Sequence, residues 1–373
     1  MILRAVTLLC LFAGAAQAQM TTAEAARDAV RMLEESAQAL SEARGGRERV
    51  KALTEIVKGY ETGLAALRDG MRAASLKEAQ LTEDLQARDK EISRLLGVLQ
   101  SISRAPAPVT LLHPSGPTGT ARAGMLLSDV TPGLKARADA LRADLEEVQA
   151  LRLLQAQSAA KLQEGLEGAQ EARTALSKAV ADRTDLPRRF VENPVQTAVL
   201  IAATETLEGF ASGLSTIAED EAPGSLPDIS HRKGKLALPV QGQLLRRAGE
   251  ADAAGVRRPG LLIATGPQAV VTTPTAATIR YAGPLLNYGL VAILEPQADT
   301  LFIFAGLEAV FGQTGQVLPA GDPLGLMGGE LRTDVSLSGD GAGNARPETL
   351  YIEVRELNQP VDPQDWFRTT DKG

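Results

Sequence analysis

The sequence is poor in the side chains on which most enzyme centres depend. Among 373 residues it has one cysteine, Cys10, and two histidines, His113 and His231. Metal sites built from several thiolates or from several histidines need more of these residues than the chain offers. The composition therefore excludes both kinds of site.

Aromatic residues are also scarce, and they are unevenly placed. The chain has one Trp, four Tyr and seven Phe. Most of them lie beyond residue 234, namely Tyr281, Tyr288, Phe302, Phe304, Phe311, Tyr351, Trp366 and Phe367. We therefore expect a core anchored by aromatic side chains only in the C-terminal third.

Positive charge is in the minority, with 39 Lys and Arg against 46 Asp and Glu and a net charge of −7. Nonspecific binding to nucleic acid requires a positive surface. No nucleic-acid partner is expected.

The first residues have the layout of an export signal. Arg4 precedes an apolar run from Ala5 to Ala16, and Ala16-Gln17-Ala18 has the small-residue spacing of a cleavage site. The run is too short for a permanent membrane anchor, although an uncleaved anchor remains the alternative. The sequence predicts a signal peptide over residues 1–18, cleavage after Ala18, no later transmembrane helix, and export to the periplasm.

Two long segments carry apolar residues at alternating spacings of three and four, from Val50 to Ile102 and from Leu134 to Val180. This heptad pattern is typical of a coiled coil. Prolines in the intervening residues 104–132 should break the helix, so an antiparallel hairpin is predicted over residues 19–184. A spacer, a dimerisation rod and a docking element all fit this pattern, and the oligomeric state stays open. The apolar tip favours docking to a partner, through Met125, Leu126, Leu127 and Val130.

A third amphipathic helix is predicted over residues 195–218, within a segment 185–234 that ends in a linker. Its apolar side chains recur at helical spacing, with Leu200, Leu207, Phe210, Leu214 and Ile217 on one face. Ordinary packing against a neighbouring domain would satisfy this face. The alternative is a restraining helix that covers a binding groove and can be released.

Beyond residue 234 the pattern changes to short β-type runs separated by Gly and Pro. The expected strands are Leu236–Val240, Gly260–Ile263, Ala269–Thr273, Ala276–Tyr281, Gly289–Glu295, Thr300–Phe304, Leu324–Met327 and Thr349–Arg355. The fold class is therefore a multidomain α plus β chain whose last domain, residues 235–373, is a mostly antiparallel β domain.

Four segments of this last domain resemble landmarks of the LytM, or lysostaphin-like, zinc metallopeptidase domains. These are Lys235–Gly242, Arg258–Ile263, Gly315–Gly325 and Leu350–Arg355. With the preceding hairpin and its inter-helix segment 111–132, the whole chain resembles the murein hydrolase activator EnvC family.

The resemblance implies a degenerate peptidase site. It places Arg258, Leu262 and Tyr351 at the three zinc-ligand positions, and Gly306 and Thr349 at two catalytic positions. None of these side chains suits the role of its family counterpart. We therefore expect no metal, no cofactor and no hydrolysis.

The remaining groove is expected to bind a protein partner through Arg258, Tyr351, Arg355 and Phe304, because Arg and Tyr often anchor interfaces. The alternative is that Arg355 and Glu353 only form an ion pair on a solvated strand face.

The resemblance also implies partners. These are a periplasmic N-acetylmuramoyl-L-alanine amidase, which the groove would activate during cell division and daughter-cell separation, and an FtsE–FtsX-like inner-membrane complex at the hairpin tip. Peptidoglycan is a further candidate. Two other functions stay open: a divergent murein endopeptidase that uses Glu250, Asp252 or Asp322, and a passive murein-binding structural protein.

Overall fold

The computed structural model of the chain describes residues 22–104, 116–184, 186–190, 193–216, 227–329 and 348–369. The helices are α1 (Thr22–Glu42), α2 (Gly46–Ala87), α3 (Asp89–Arg104), α4 (Gly116–Ala181), α5 (Pro194–Ala203) and α6 (Leu207–Thr216). The strands are β1 (Gly242–Arg246), β2 (Leu261–Thr265), β3 (Val270–Thr272), β4 (Ala277–Pro284), β5 (Leu290–Gln297), β6 (Thr300–Val310), β7 (Val317–Leu318), β8 (Pro323–Met327), β9 (Glu348–Glu356) and β10 (Gln359–Val361). The predicted α plus β class is confirmed.

The chain divides into two compact units. Ala66–Gln163 form one, and the described residues up to Ala65 and from Glu164 onward form the other. The ends of the predicted hairpin therefore belong to the same unit as the β domain, whereas the sequence placed the boundary after residue 184. None of the described helices is long and apolar enough to cross a bilayer.

The unit Ala66–Gln163 is built from α3 and the adjoining parts of α2 and α4. Leu95, Leu141 and Val148 of the predicted seam are buried. Where the seam is polar, Glu78 accepts hydrogen bonds from Arg152 at 2.7 Å and from Gln155 at 3.1 Å. The hydrogen bond from Arg152 holds the pKa of Glu78 below its usual range.

Helix α4 corrects the predicted break, which was expected to extend to Pro132. The helix begins at Gly116 and contains Pro132 in its interior. A proline there removes one backbone donor and costs about 3 kcal/mol, which a helix of this length can tolerate. Pro117 lies in the first turn, where the backbone N–H has no helical partner. Residues 105–115 lie outside the described part of the chain.

The ends of the hairpin pack together in the larger unit. Helix α1 lies against α2, with Leu33 and Ala29 over Gly59 and Gly63. Val50, Leu53 and Val57 of α2 and Ala172 and Leu176 of α4 form a buried cluster, which we call the hairpin base. Its one buried member from the β domain is Val270 of β3.

All strand pairs are antiparallel, and the main order is β1-β2-β9-β6-β5-β4-β7, with β8 on β6, β3 on β8 and β10 on β9. Strands β6 and β9 alternate between two apolar faces. Phe302, Phe304 and Ile352 belong to the main core, together with Trp366; we call this the inner face. The opposite face, here the groove face, is apolar as well, and its buried members are Tyr281, Leu285, Val291, Ile293, Leu301, Ile303, Ala305 and Tyr351.

The first predicted strand, Leu236–Val240, is not formed. Leu236 makes only an isolated bridge to Phe367, and the segment is held instead by hydrogen bonds from the Thr272 backbone N–H and hydroxyl to the Pro239 carbonyl. Pro239 has no N–H to donate to a ladder, which disfavours a strand. Strand β1 follows at Gly242–Arg246 and was missed.

The predicted helix over residues 195–218 is two helices rather than one. Asn193 caps α5 by accepting from the Gln196 N–H, and α5 ends at Thr204, whose backbone is extended. Thr206 then caps α6, since its hydroxyl accepts from the Gly209 N–H at 3.0 Å. The extended backbone at Thr204 and the cap at Thr206 explain the break. Ile217 lies outside the described residues.

Candidate functional site

Strand β9 positions the central side chains of the candidate site. Leu350, Ile352 and Val354 point into the main core, which places Tyr351, Glu353 and Arg355 on the opposite side of the strand. All three are buried. The alternation of β9 therefore places a phenol, a carboxylate and a guanidinium in one row.

These three side chains form a chain of hydrogen bonds centred on Glu353. The Tyr351 hydroxyl donates to Glu353 Oε2 at 2.8 Å, and Arg355 Nη1 donates to Glu353 Oε1 at 2.8 Å. Arg355 Nη2 donates to the Asn358 carbonyl at 2.8 Å. Arg355 Nε has no hydrogen-bond partner among the described residues. The alternative of an Arg355–Glu353 pair is thus realised, but in a buried setting rather than on a solvated face.

The phenol of Tyr351 is held in its neutral form. Burial raises its pKa above the ordinary value, and the neighbouring Glu353 carboxylate raises it further. A neutral phenol that donates to a carboxylate is a poor ligand for a metal ion.

The three positions that the resemblance assigns to zinc ligands do not fit zinc. Leu262 pairs with Tyr351 across strands β2 and β9, so two of the three positions are adjacent. Leu262 has no donor atom, Arg258 carries a positive charge, and Tyr351 already donates its proton to Glu353. Zinc in proteins is bound by thiolate, imidazole or carboxylate groups. Among the described residues, no group of three or more His, Cys, Asp or Glu side chains could hold a metal ion.

The two positions that the resemblance assigns to catalytic groups, Gly306 and Thr349, also lie close together. The backbone leaves no room for a side chain at position 306. Gly306 has a φ of 93°, in the left-handed region. A Cβ atom there would lie 2.6 Å from the carbonyl oxygen of Thr349. A histidine at position 306 would therefore require the backbone to move.

The three acidic side chains that could serve as alternative metal ligands do not come together in one site. Glu250 accepts from the Arg247 N–H, and Asp252 accepts from the Ala254 and Val256 N–H groups in the same exposed loop. The hydrogen bond from Val256 lowers the pKa of Asp252. Asp322 forms a buried ion pair with Arg183 at 2.6 Å. Each carboxylate has a local structural role.

Helix α6 covers the groove face. Leu207, Phe210, Ala211 and Leu214 are buried against the strands, in the same cluster as Tyr351 and Ile303. The Phe210 ring packs edge-on against Tyr281, with 4.7 Å between the ring centroids. Leu200 of α5 packs beside this cluster and over Gly213 of α6.

One polar contact joins α6 to the row on β9. Glu208 Oε1 lies 3.4 Å from Arg355 Nη2. The Glu208 side chain is 68% exposed, whereas that of Arg355 is 2% exposed. Arg355 is thus buried beneath a helix whose own carboxylate stays in contact with water. The sequence pattern gave no signal for Glu208, because it lies 147 residues from Arg355.

The structure separates the predicted groove residues. Tyr351 and Arg355 lie on the groove face as neighbours of Glu353. Arg258 is exposed in the loop before β2, although its charge acts on Tyr351. The prediction for Phe304 is wrong: its side chain is fully buried on the inner face, because it has the opposite parity on β6 to Ile303 and Ala305.

The predicted docking residues lie on a helix rather than in a turn. Met125, Leu126 and Val130 are exposed on α4, Met125 by 71%. The Leu127 side chain lies outside the described part. Three exposed large apolar side chains within six residues are more than a solvated helix needs.

Comparison with known proteins gives similarity in sequence to bacterial proteins. The chain is 28% identical over 135 residues to the murein hydrolase activator EnvC of Escherichia coli, which covers 36% of this chain and 29% of EnvC. The chain is EnvC-like over about a third of its length. The resemblance drawn from the residues is confirmed to this extent.

A second relative is an uncharacterized protein of Neisseria meningitidis, 30% identical over 145 residues, which are 39% of this chain and 22% of that protein. The chain thus matches about a fifth to a third of the length of these curated relatives. No protein-family model matches the chain. Among solved structures, the catalytic domain of the peptidase lysostaphin from Staphylococcus simulans is 15% identical with a TM-score of 0.26, over 33% of this chain and 89% of that domain.

Proposed function

We propose that the chain is a non-catalytic activator of murein amidases that acts in the periplasm during cell division. The observation that carries this proposal is that the groove face lacks groups suited to zinc and is covered by a helix. The residues at the zinc positions are unsuited to zinc, and helix α6 covers the Tyr351–Glu353–Arg355 row. A face built from Tyr, Arg and apolar side chains has the composition of a protein-binding surface.

Similarity to EnvC supports the choice of partner. EnvC is a murein hydrolase activator by name, and an activator needs a binding surface rather than a catalytic centre. In this proposal the groove face binds an N-acetylmuramoyl-L-alanine amidase, and the exposed Met125, Leu126 and Val130 side chains of α4 dock to an FtsE–FtsX-like membrane complex.

Helix α6 would then act as a restraint. An amidase can bind only those molecules in which the groove face is open, so the apparent affinity falls by the open fraction. Four apolar side chains and one exposed carboxylate hold α6 in place. Release would expose an apolar surface that a partner helix or loop could cover.

The test is amidase activity on purified murein, measured with the full chain and with two variants. Phe210→Ala combined with Leu214→Ala removes the largest contacts of α6, so we expect at least a tenfold increase in amidase stimulation at a fixed low concentration of activator. Val199→Ala is the matched control, because Val199 is 61% exposed on α5, and it should behave as the unchanged chain.

Three outcomes would contradict the proposal. Equal stimulation by the double variant and the control would show that α6 does not restrain amidase binding. Retention on murein with no effect on any amidase would favour a passive murein-binding protein. Murein cleavage by the chain alone, with bound zinc in stoichiometric amount, would show a peptidase.

A further inference from the structure

A buried ion pair joins the hairpin base to strand β3. Glu61 of α2 and Arg173 of α4 lie 3.0 Å apart, Glu61 Oε1 to Arg173 Nη2. Their side chains are 10% and 4% exposed. Glu61 Oε1 also accepts from the Val270 backbone N–H at 2.9 Å. The pair thus connects both helices of the base to the backbone of a strand.

This ion pair is incompletely satisfied. Glu61 Oε2 and Arg173 Nε and Nη1 are buried without a hydrogen-bond partner among the described residues. Burial raises the pKa of Glu61 even though Arg173 lies beside it, so the site disfavours the charged carboxylate. A buried pair with unpaired atoms can be less favourable than apolar side chains of similar size.

The β domain contributes few apolar side chains to its contact with the hairpin base. Val270 is the one buried side chain that the sheet contributes to the hairpin base, and Leu326 is half-buried beside it. Because β3 pairs only with β8, the Val270 N–H at its free edge depends on Glu61 rather than on a strand. Besides these apolar contacts, separation of the helices from β3 would break the Glu61–Val270 hydrogen bond, the contact of Arg173 Nη2 with the Pro267 carbonyl at 3.5 Å, and the hydrogen bond from Gln241 Nε2 to the Thr62 hydroxyl at 2.8 Å.

The end of α4 is attached more firmly. Arg183, just beyond α4, forms the buried ion pair with Asp322 at 2.6 Å. The following segment adds to the sheet: the Arg189 N–H donates to the Gly315 carbonyl, and the Val317 N–H donates to the Pro187 carbonyl. These contacts would persist while the base separates from β3.

We infer that the hairpin base is a releasable clamp on strand β3, which opens where Glu61 accepts from the Val270 N–H and pivots at Arg183–Asp322. The clamp is closed in the structure. Opening is a local event that exposes Val270 and leaves the sheet intact. This inference does not depend on the partner of the groove face.

The test measures how often Val270 becomes exposed. In a full chain with Cys10→Ser, the near-isosteric Val270→Cys places a thiol under the clamp. In a second chain Ala292→Cys places a thiol in the main core, where Ala292 is fully buried. We expect a thiol reagent to label position 270 at least tenfold faster than position 292. Equal rates would overturn the inference.

Replacing the Glu61–Arg173 ion pair is the more discriminating test. Glu61→Gln with Arg173→Met should slow labelling at position 270 about fivefold or more, because it removes both buried charges while the Gln amide oxygen can still accept from the Val270 N–H, and should leave position 292 unchanged. Arg173→Met alone leaves the buried Glu61 carboxylate without its counter-charge and should speed labelling at position 270. The control is Glu55→Gln with Lys58→Gln, a more exposed pair on α2 that should have no effect. Faster labelling in the Glu61→Gln, Arg173→Met chain would also overturn the inference, since the charged pair would then hold the clamp closed.

Discussion

The two faces of strands β6 and β9 differ in what covers them. The inner face is closed by the β domain itself, where Phe302 packs against Trp366 and Phe367 with ring centroids 5.5 and 5.4 Å apart. The groove face is closed by α6, a helix of ten residues from a different segment of the chain. Burial alone therefore does not separate a permanent core from a surface that a partner could use.

The polar groups sharpen this contrast. In the middle of β9 the inner face carries Leu350, Ile352 and Val354, whereas Tyr351, Glu353 and Arg355 lie opposite. A buried guanidinium requires a partner to offset its desolvation, and Glu353 supplies it from the same strand. This pair lies within β9, so it does not need α6 for its formation.

The largest effect is expected on the inner face. Phe302→Ala removes a ring from the centre of the main core and should lower the free energy of unfolding by about 3–5 kcal/mol. Denaturant unfolding can be followed by the fluorescence of Trp366, the single tryptophan and a neighbour of Phe302. A loss of stability no greater than that of a matched change on the exposed surface, such as Leu245→Ala, would contradict this assignment of the core.

An intermediate effect is expected for the row on the groove face. Glu353→Gln keeps the shape of the side chain but leaves Arg355 without its buried counter-charge, and should cost about 3 kcal/mol of stability. The same unfolding measurement applies, with the exposed Glu308→Gln as control. A cost as small as that of the control would show that water or Glu208 compensates Arg355.

The smallest effect is expected at the edge of α6. Glu208→Gln removes a contact from a carboxylate that is mostly exposed, so its contribution is about 0.5 kcal/mol and should fall further with added salt. Hydrogen exchange of the α6 amides is the suitable measurement, and a roughly twofold increase is expected. Complete loss of protection would mean that Glu208, rather than the apolar side chains, holds α6 in place.

The sequence predicted well wherever the signal was local. The heptad spacing placed Leu141, Val148 and Leu176 on a buried seam, and alternation on β9 placed Tyr351 and Arg355 on one face. Local rules failed where packing against other parts of the chain decided the outcome. Pro132 was expected to lie in a break before the second helix, although α4 runs through it, and Phe304 was assigned to the groove although the parity of β6 turns it inward.

The absence of groups suited to zinc at the family positions, the change from helical to strand periodicity, and the apolar stripe of the 195–218 segment are properties of the sequence by itself. The first follows from the resemblance to the LytM domains, and the other two follow from spacings of a few residues. Only the tertiary structure decided that α6 covers the groove face, that Glu208 meets Arg355, and that Glu61 reaches the backbone of Val270, 209 residues away. Such contacts depend on how separate elements pack, and a local pattern can show that an apolar face must be covered without specifying which element covers it.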